Sequence, residues 1–375
     1  TYFLLAGLYR LQQIEPKNGD RFIGARGARL NGARELTGAT KVGSAYVFED
    51  QAPHPQATRH GICEPEFPRC DRPQALFVDN QPLRAVGRLA DLAAGRWYFD
   101  YDAKRIYMAD DPAGRPVEVT YTPFAFGGTA RNVTIENLIV ERYASGNQRG
   151  AINDQGRGTY WTVTRNDVRQ NYGYGITLGE GHRAVGNIVN GNGQLGIGGG
   201  TSSGMLVEGN EIAFNAWNGT RCDWECGGAK WGAVSSIVVR GNYVHDNAGV
   251  GLWTDERCRD VLIEQNRVEN NSRSGISHEI GFNAIIRHNT LRGNGADTFV
   301  WGWQAQIQIQ NSLDTEVYEN RIELDPVRGG NGITVIQQDR GPSFAVRNVY
   351  VHDNEIVMRG GEGVVTLDHI DTAAA

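Results

Sequence analysis

From about residue 126 onward, apolar and polar positions alternate in short runs, each closed by Asn or Gly. The runs read "VTIENLIVERY", "WTVTRNDVRQNYGYG", "RAVGNIVNGNGQLG", "MLVEGNEIAFNAWNG", "IVVRGNYVHDNAGVG", "VLIEQNRVENNSRSG", "AIIRHNTLRGNG", "TEVYENRIEL" and "VYVHDNEIVM". A period of two means strands, and the Gly and Asn between them mean tight bends. The first Asn of each run falls at 137, 166, 187, 210, 242, 266, 289, 320 and 354, and the shorter steps are 21 to 24 residues. That repeat is too short for two helices and lacks a leucine framework. Three short strands per turn fit it, which predicts an all-β, right-handed parallel β-helix solenoid. The recurring Asn then has a structural role: it tolerates left-handed backbone at a bend, and its amide can bond the Asn of the next coil.

The N-terminal third interrupts this pattern. "FLLAGLYRLQQI" and "FIGARGARLNGA" read as opening coils over residues 1–42. Residues 43–125, with a hairpin at "DYDAKRIYM", read as a small inserted β-module, and residues 126–375 as the main solenoid.

Composition narrows the partners. Forty-nine glycines in 375 residues, without a collagen-like period, suit tight turns. A net charge of −6 and the absence of a basic stripe argue against nucleic acid. No apolar run reaches membrane-spanning length. The chain opens on "TYFLLAGLYRLQQI" without a visible signal peptide, as a trimmed sequence would. Five cysteines, in "CEPEFPRC", "CDWEC" and at Cys258, suggest one or two short disulfide loops, with Cys258 left over or exchanged into the second. Zinc needs four ligands, and "CxxxC" supplies two, so disulfides and export are expected.

Equivalent positions on successive coils stack about 4.8 Å apart. Aligning the glycine that opens one strand of each coil gives "GYGITLG", "QLGIGGG", "GGAKWG", "GVGLWTDE", "RSGISHEIG", "QAQIQIQN", "GNGITVIQ" and "GEGVVTLDH". The middle coils present Lys230, Trp231, Trp253, Asp255, His278 and Glu279, followed by Gln306 and Gln308. Aligning by glycine sets Asp255 beside Glu279, whereas aligning by Asn sets it beside His278. In either register two ionisable groups adjoin, which perturbs their pKa values as acid–base work requires. Six of the eight tryptophans lie in these coils, among them Trp231, Trp253, Trp301 and Trp303. Clustered indoles suit sugar rings, or else pack under loops. Gln338 and Arg340 are expected at one end of the groove. Lys230 could equally be the ion-pair partner of Asp255, and His278 an inward, hydrogen-bonded residue.

The blocks "GGAKWG", "GLWTDE", "GISHEI" and "QQDRG" resemble those of bacterial right-handed β-helix proteins in the pectate-lyase-like superfamily. The likeness extends to "LFVDNQPL" and "WYFDYDAKRIYM". That superfamily includes hydrolases, lyases, epimerases and adhesive proteins, and no epimerase "DPHD" block occurs here. The resemblance implies an exported bacterial protein acting on a polysaccharide or oligosaccharide. The expected function is a glycoside hydrolase using Asp255 and Glu279, with Lys230 and His278 orienting or tuning them and no cofactor. A lyase with a Lys or His base, and Ca²⁺ held by Asp255, Glu279 or Asp223, is the alternative. A non-catalytic glycan-binding surface protein is the third.

Overall fold

The computed structural model describes residues 1–296, 303–327 and 330–368. Among them, three long parallel sheets wind into a solenoid: two of eleven strands and a third of nine. From the third coil on, each coil contributes one strand to each sheet, the first two reaching the third face only through bridges at Ile14 and Phe126. The crossovers have the right-handed sense of parallel connections. Apolar residues at alternate positions point inward and form one continuous core, from Phe22 and Leu30 through Ile176, Ile237 and Ile276 to Ile333.

Two amide ladders run up this core. In the first, Asn187 Nδ2 donates to Asn210 Oδ1 at 2.9 Å and to the Val163 carbonyl at 2.9 Å. The backbone N–H of Asn187 also donates to Asn210 Oδ1 at 2.9 Å, so one amide serves three groups that would otherwise be buried unpaired. The same bonding links Asn166 to Asn187 and continues to Asn354. The second ladder runs from Asn171 to Asn294.

Two sequence expectations need correction here. The left-handed residue is the one before the ladder Asn, such as Arg165, Gln265 or Glu319, and not the Asn itself. The Asn turns its amide into the core, and only its neighbour can make the bend. Asn137 is therefore a bend residue (φ 56°), and Leu138 occupies the ladder position, its N–H donating to Asn166 Oδ1.

The inserted unit leaves the solenoid after the strand Ala28–Asn31. The chain returns at Phe126, whose parallel bridges to Ile14 and Ile152 complete the interrupted coil, and Thr134–Glu136 then pairs in parallel with Arg21–Gly24. Its antiparallel strands begin with Ala33–Glu35, which pairs with Val117–Thr120, so the unit starts before the expected residue 43. "ARE" continues the alternation of the coil before it, which hides the boundary. The expected hairpin is present, with Trp97 opposite Met108 and Asp100 opposite Arg105. Its own core packs Phe48, Leu76, Trp97, Ile106 and Val119. Buried Glu118 pins the unit to the solenoid through Arg10 and Arg142.

Disulfides join Cys63 to Cys70 and Cys222 to Cys226, and Cys258 is a buried free thiol. The two stapled loops dock on one another. The Glu64 N–H donates to the Gly219 carbonyl at 2.9 Å, and the Arg221 N–H to the Ile62 carbonyl at 2.8 Å. Together they build a wall beside the third sheet.

Candidate functional site

The third sheet carries the candidate residues. Its strands Gly227–Gly232, Val250–Asp255, Ile276–Glu279 and Ala305–Gln310 are consecutive neighbours. Thr254 pairs with His278, so the next residues, Asp255 and Glu279, are also in register. The glycine alignment is the one realised. A residue of the second Asn ladder explains why. A Cβ at Gly251 would lie 2.9 Å from Asn271 Nδ2, and one at Gly275 2.8 Å from Asn294 Nδ2. The amide ladder needs that column empty.

The outer face of this sheet then follows from period two. Lys230 pairs with Trp253 and Trp253 with Ser277; Ser277 pairs with Gln308, and Gly232 with Asp255. A groove follows these columns in two adjoining lobes. One, of 530 Å³, runs from Gln155 and Tyr174 past Lys230 and Asp255. The other, of 680 Å³, is lined by Trp253, Trp303, Gln308, Gln310, Arg273 and the Cys63–Pro65 wall. Trp253, Glu279, Arg340 and Asp223 line both.

At the junction, Lys230 Nζ lies 2.9 Å from Asp255 Oδ2, donates to the Trp224 carbonyl at 3.0 Å and sits 3.6 Å from the Trp253 ring centre. Asp255 Oδ1 accepts the Glu256 N–H at 2.6 Å. Glu279 Oε1 accepts from Gln310 Nε2 at 3.0 Å and faces Arg340 at 3.4 Å. Burial, and secondly the Asp255 carboxylate, push the Glu279 carboxyl up to about 7, against the opposing pull of Arg340 and Lys230. The Trp253 indole N–H lies close enough to favour the ionised form, though it completes no hydrogen bond of regular geometry. Gln338 is buried, and its Oε1 accepts from Gln310 and from Arg340 Nε, which fixes the guanidinium beside Glu279.

Three candidates lie elsewhere. Trp231 is fully buried in the core, because the residue after outward Lys230 must point inward. His278 is fully buried as well: its Nδ1 pairs with Thr254 Oγ1 at 2.8 Å, and desolvation lowers its pKa to about 4. The ring occupies the space a side chain at Gly281 would need. Gln306 stands in the glycine column, and its Oε1 takes the N–H and Nδ2 of Asn294 at 3.2 and 2.7 Å. It serves as the next rung of the ladder, not as a groove residue. Trp301 lies outside the described residues.

Glu225 is a site residue the sequence reading missed. It is 7% exposed inside the Cys222–Cys226 loop, and Gln148 Nε2 donates to its Oε2 at 2.7 Å. Desolvation raises its pKa, with Lys230 opposing. "CDWEC" signalled only a disulfide, and the fold of that loop over the groove has no local signature. Arg221, Arg273 and Arg340 all reach one lobe, although the central strands lack an Arg cluster.

A Ca²⁺ ion would draw on Asp255, Glu279 or Asp223, and these carboxylates do not fit one: Lys230, Arg340 and Arg221 already face them. Among the described residues, no three His, Cys, Asp or Glu side chains converge at metal-ligand spacing.

Residues 150–322 match the family model described as right handed beta helix region. No curated protein matches the sequence. Among solved structures, the chain is similar to XylC in complex with xylose, at 13% identity and TM-score 0.69, covering 98% of this chain and 81% of that one. It is also similar to the A-module of Azotobacter vinelandii mannuronan C-5 epimerase AlgE6, at 13% identity and TM-score 0.56, covering 99% and 91%. A third is PfbA, a surface adhesin of Streptococcus pneumoniae, at 11% identity and TM-score 0.53, covering 96% and 84%. These likenesses bear on the fold, and the protein is a right-handed parallel β-helix.

Proposed function

We propose that this β-helix is an exported glycan-cleaving enzyme, a glycoside hydrolase working through Glu279 and Asp255. The observation that carries the reading is their arrangement. Two carboxyl groups stand in register on adjacent coils of one groove, in unlike surroundings. Glu279, lifted to about 7, is suited to protonate the leaving oxygen near neutral pH. Asp255, ion-paired with Lys230, is suited to attack the anomeric carbon. The C–O bond to the leaving sugar breaks as its oxygen takes the Glu279 proton, and a glycosyl ester forms on Asp255. Water then attacks that ester, losing a proton to Glu279 and restoring both groups. In-register strands sit about 4.8 Å apart, close to the ~5–5.5 Å carboxyl spacing of retaining enzymes, so retention is expected. Trp303 and the part of Trp253 left free by Lys230 would meet sugar rings. Gln308 and Arg340 would orient polar groups, with buried Gln338 holding Arg340 in place.

Several findings support a saccharide partner. The groove is lined by indoles and amides, and fold relatives include a protein solved with xylose and a mannuronan epimerase. The two disulfides suit an oxidising, extracytoplasmic compartment. Among the described residues, no helix is long and apolar enough to cross a membrane.

The Lys230–Asp255 ion pair favours a second reading, a glycan-binding surface protein in which that pair is structural. Incubation with a panel of oligosaccharides, followed by NMR of the first-formed anomer, separates the readings. New reducing ends of retained configuration support the hydrolase. Unsaturated products mean a lyase, and binding without cleavage means the second reading.

A further inference from the structure

Beyond the junction, beside the far end of the groove, lies a small, partly open cavity that the cleavage reading does not use. It holds 200 Å³ and is lined by Thr58 of the inserted unit, Pro123, Phe124, Arg149, Asp154 and Gln155. Gln155 also lines the 530 Å³ lobe, so the cavity adjoins the groove at this side chain.

Its chemistry is specific. Asp154 is 6% exposed, and its Oδ2 accepts from Gln155 Nε2 at 3.0 Å and Arg149 Nη1 at 3.3 Å. Its Oδ1 is buried and has no protein donor. Burial raises the Asp154 pKa, with Gln155 and Arg149 opposing. A buried carboxylate oxygen without a donor is costly, by about 1–3 kcal/mol or more, unless something supplies one. Phe124 and Pro123 give the cavity an apolar side, and Arg149 remains one-third exposed at its mouth. An apolar wall facing the polar side chains of Gln155, Arg149 and the buried Asp154 suits a pyranose ring with hydroxyls on one edge. A uronate would set its carboxylate against Asp154, so a neutral sugar is favoured.

We infer that this cavity is a distal subsite for one neutral sugar ring of a glycan lying along the groove. The inference rests on the groove being a glycan site. Its distance from the junction is fixed by the coils. The strands Gly150–Ile152, Tyr174–Leu178, Leu195–Gly200, Gly227–Gly232 and Val250–Asp255 are consecutive neighbours. Four steps of about 4.8 Å place the cavity roughly 19 Å from Asp255, the reach of about four sugar rings. Short glycans bound at the junction would not touch it, and chains of five or more would.

The test is binding of the intact protein to a microarray of neutral and uronate-containing oligosaccharides of two to eight residues. In the neutral series, affinity should rise at least ten-fold between four and six residues. Asp154→Ala should erase that step. Thr58→Trp fills the cavity from the partly exposed inserted unit, and should erase it too even where the Asp154 variant folds poorly. A smooth length dependence, a step that survives Thr58→Trp, a step confined to uronates, or no binding at any length would overturn the inference. Cleavage assayed on the same oligosaccharides separates the two proposals. A length step without cleavage keeps the subsite and removes the hydrolase, whereas cleavage without a step does the reverse.

Discussion

Replacing Glu279 by Gln removes a proton-binding group and little else, and the effect on stability can be worked out from its surroundings. Its carboxyl is lifted from an ordinary 4.5 to about 7, chiefly by desolvation. At 1.36 kcal/mol per tenfold change in proton affinity, that is worth about 3 kcal/mol. The folded state holds this proton more tightly than the unfolded chain. The associated stability is therefore fully present below about pH 4.5 and is lost as pH rises through about 7. Glu279→Gln has no proton to lose. Relative to the native protein it should gain up to about 3 kcal/mol between roughly pH 4.5 and pH 8, with flat limbs on either side. Guanidinium unfolding of both proteins from acid to mildly alkaline pH measures the gap. A long solenoid can unfold in stages, so the decisive reading is the pH range over which the two midpoints separate. A gap that does not vary with pH, or a native protein that is the more stable one at pH 8, would refute the argument. Either would mean that Arg340 and Gln310 fully compensate the buried charge.

Three further outcomes are expected. Asp255→Asn should lower turnover of any cleaved glycan by about a thousand-fold or more, measured as reducing ends, while ligand binding by the folded variant persists. Lys230→Met should leave a measurable fraction of hydrolysis, whereas a lyase with Lys230 as base would lose all activity. The same variant should be destabilised by about 3 kcal/mol because Asp255 loses its partner. Trp231→Ala should cost about 3–5 kcal/mol in unfolding assays and leave the apparent KM unchanged, since the indole fills the core and never meets a ligand.

Much of this was legible in the residues, for reasons that also explain the errors. A solenoid repeats its inner columns, so the Asn ladders, the coil count and the third-sheet alignment all show as periodicity. The register of Asp255 with Glu279 was one of two options, and steric exclusion at Gly251 and Gly275 selects between them. Trp231, His278 and Gln306 do not reach the groove. The alignment held the correction for Trp231 and for His278, whose inward position was the open alternative. It held none for Gln306, which shares the parity of Gln308 and is drawn in by the Asn294 amide. Counting from the glycine column, Lys230, Trp253 and Ser277 share one parity, and Trp231, Thr254 and His278 the other. Two neighbours on one strand cannot both face out. Glu225, Arg221 and Arg273 were not legible, because loops bring them to the groove and loops carry no period. The docking of the Cys63–Cys70 loop on the Cys222–Cys226 loop joins segments about 150 residues apart, beyond any local pattern.

The groove has a direction, and the same columns explain it. On the early coils the outward positions are Gly198 and Gly200, in register with Lys230 and Gly232. Gly198 leaves room for the Tyr174 ring of the coil before, which lies against it and forms part of the floor of the 530 Å³ lobe. On the later coils these columns hold Trp253 and Asp255, then Glu279, Gln308 and Gln310, with Arg340 set across them. The floor thus changes from Tyr174 packed on glycines to charged groups and an indole. Nothing in the packing of a solenoid requires that change, since the inner columns are filled alike on both sides. Folding is not favoured by it either: two carboxyls on adjacent coils repel, and one of them is desolvated. A local arrangement that opposes stability, placed where the two lobes meet and bounded by two stapled loops, is expected of a site kept for its chemistry. A glycan lying over Tyr174 and Gly200 would meet Lys230, Asp255 and Glu279 in that order, with its far end directed toward Asp154.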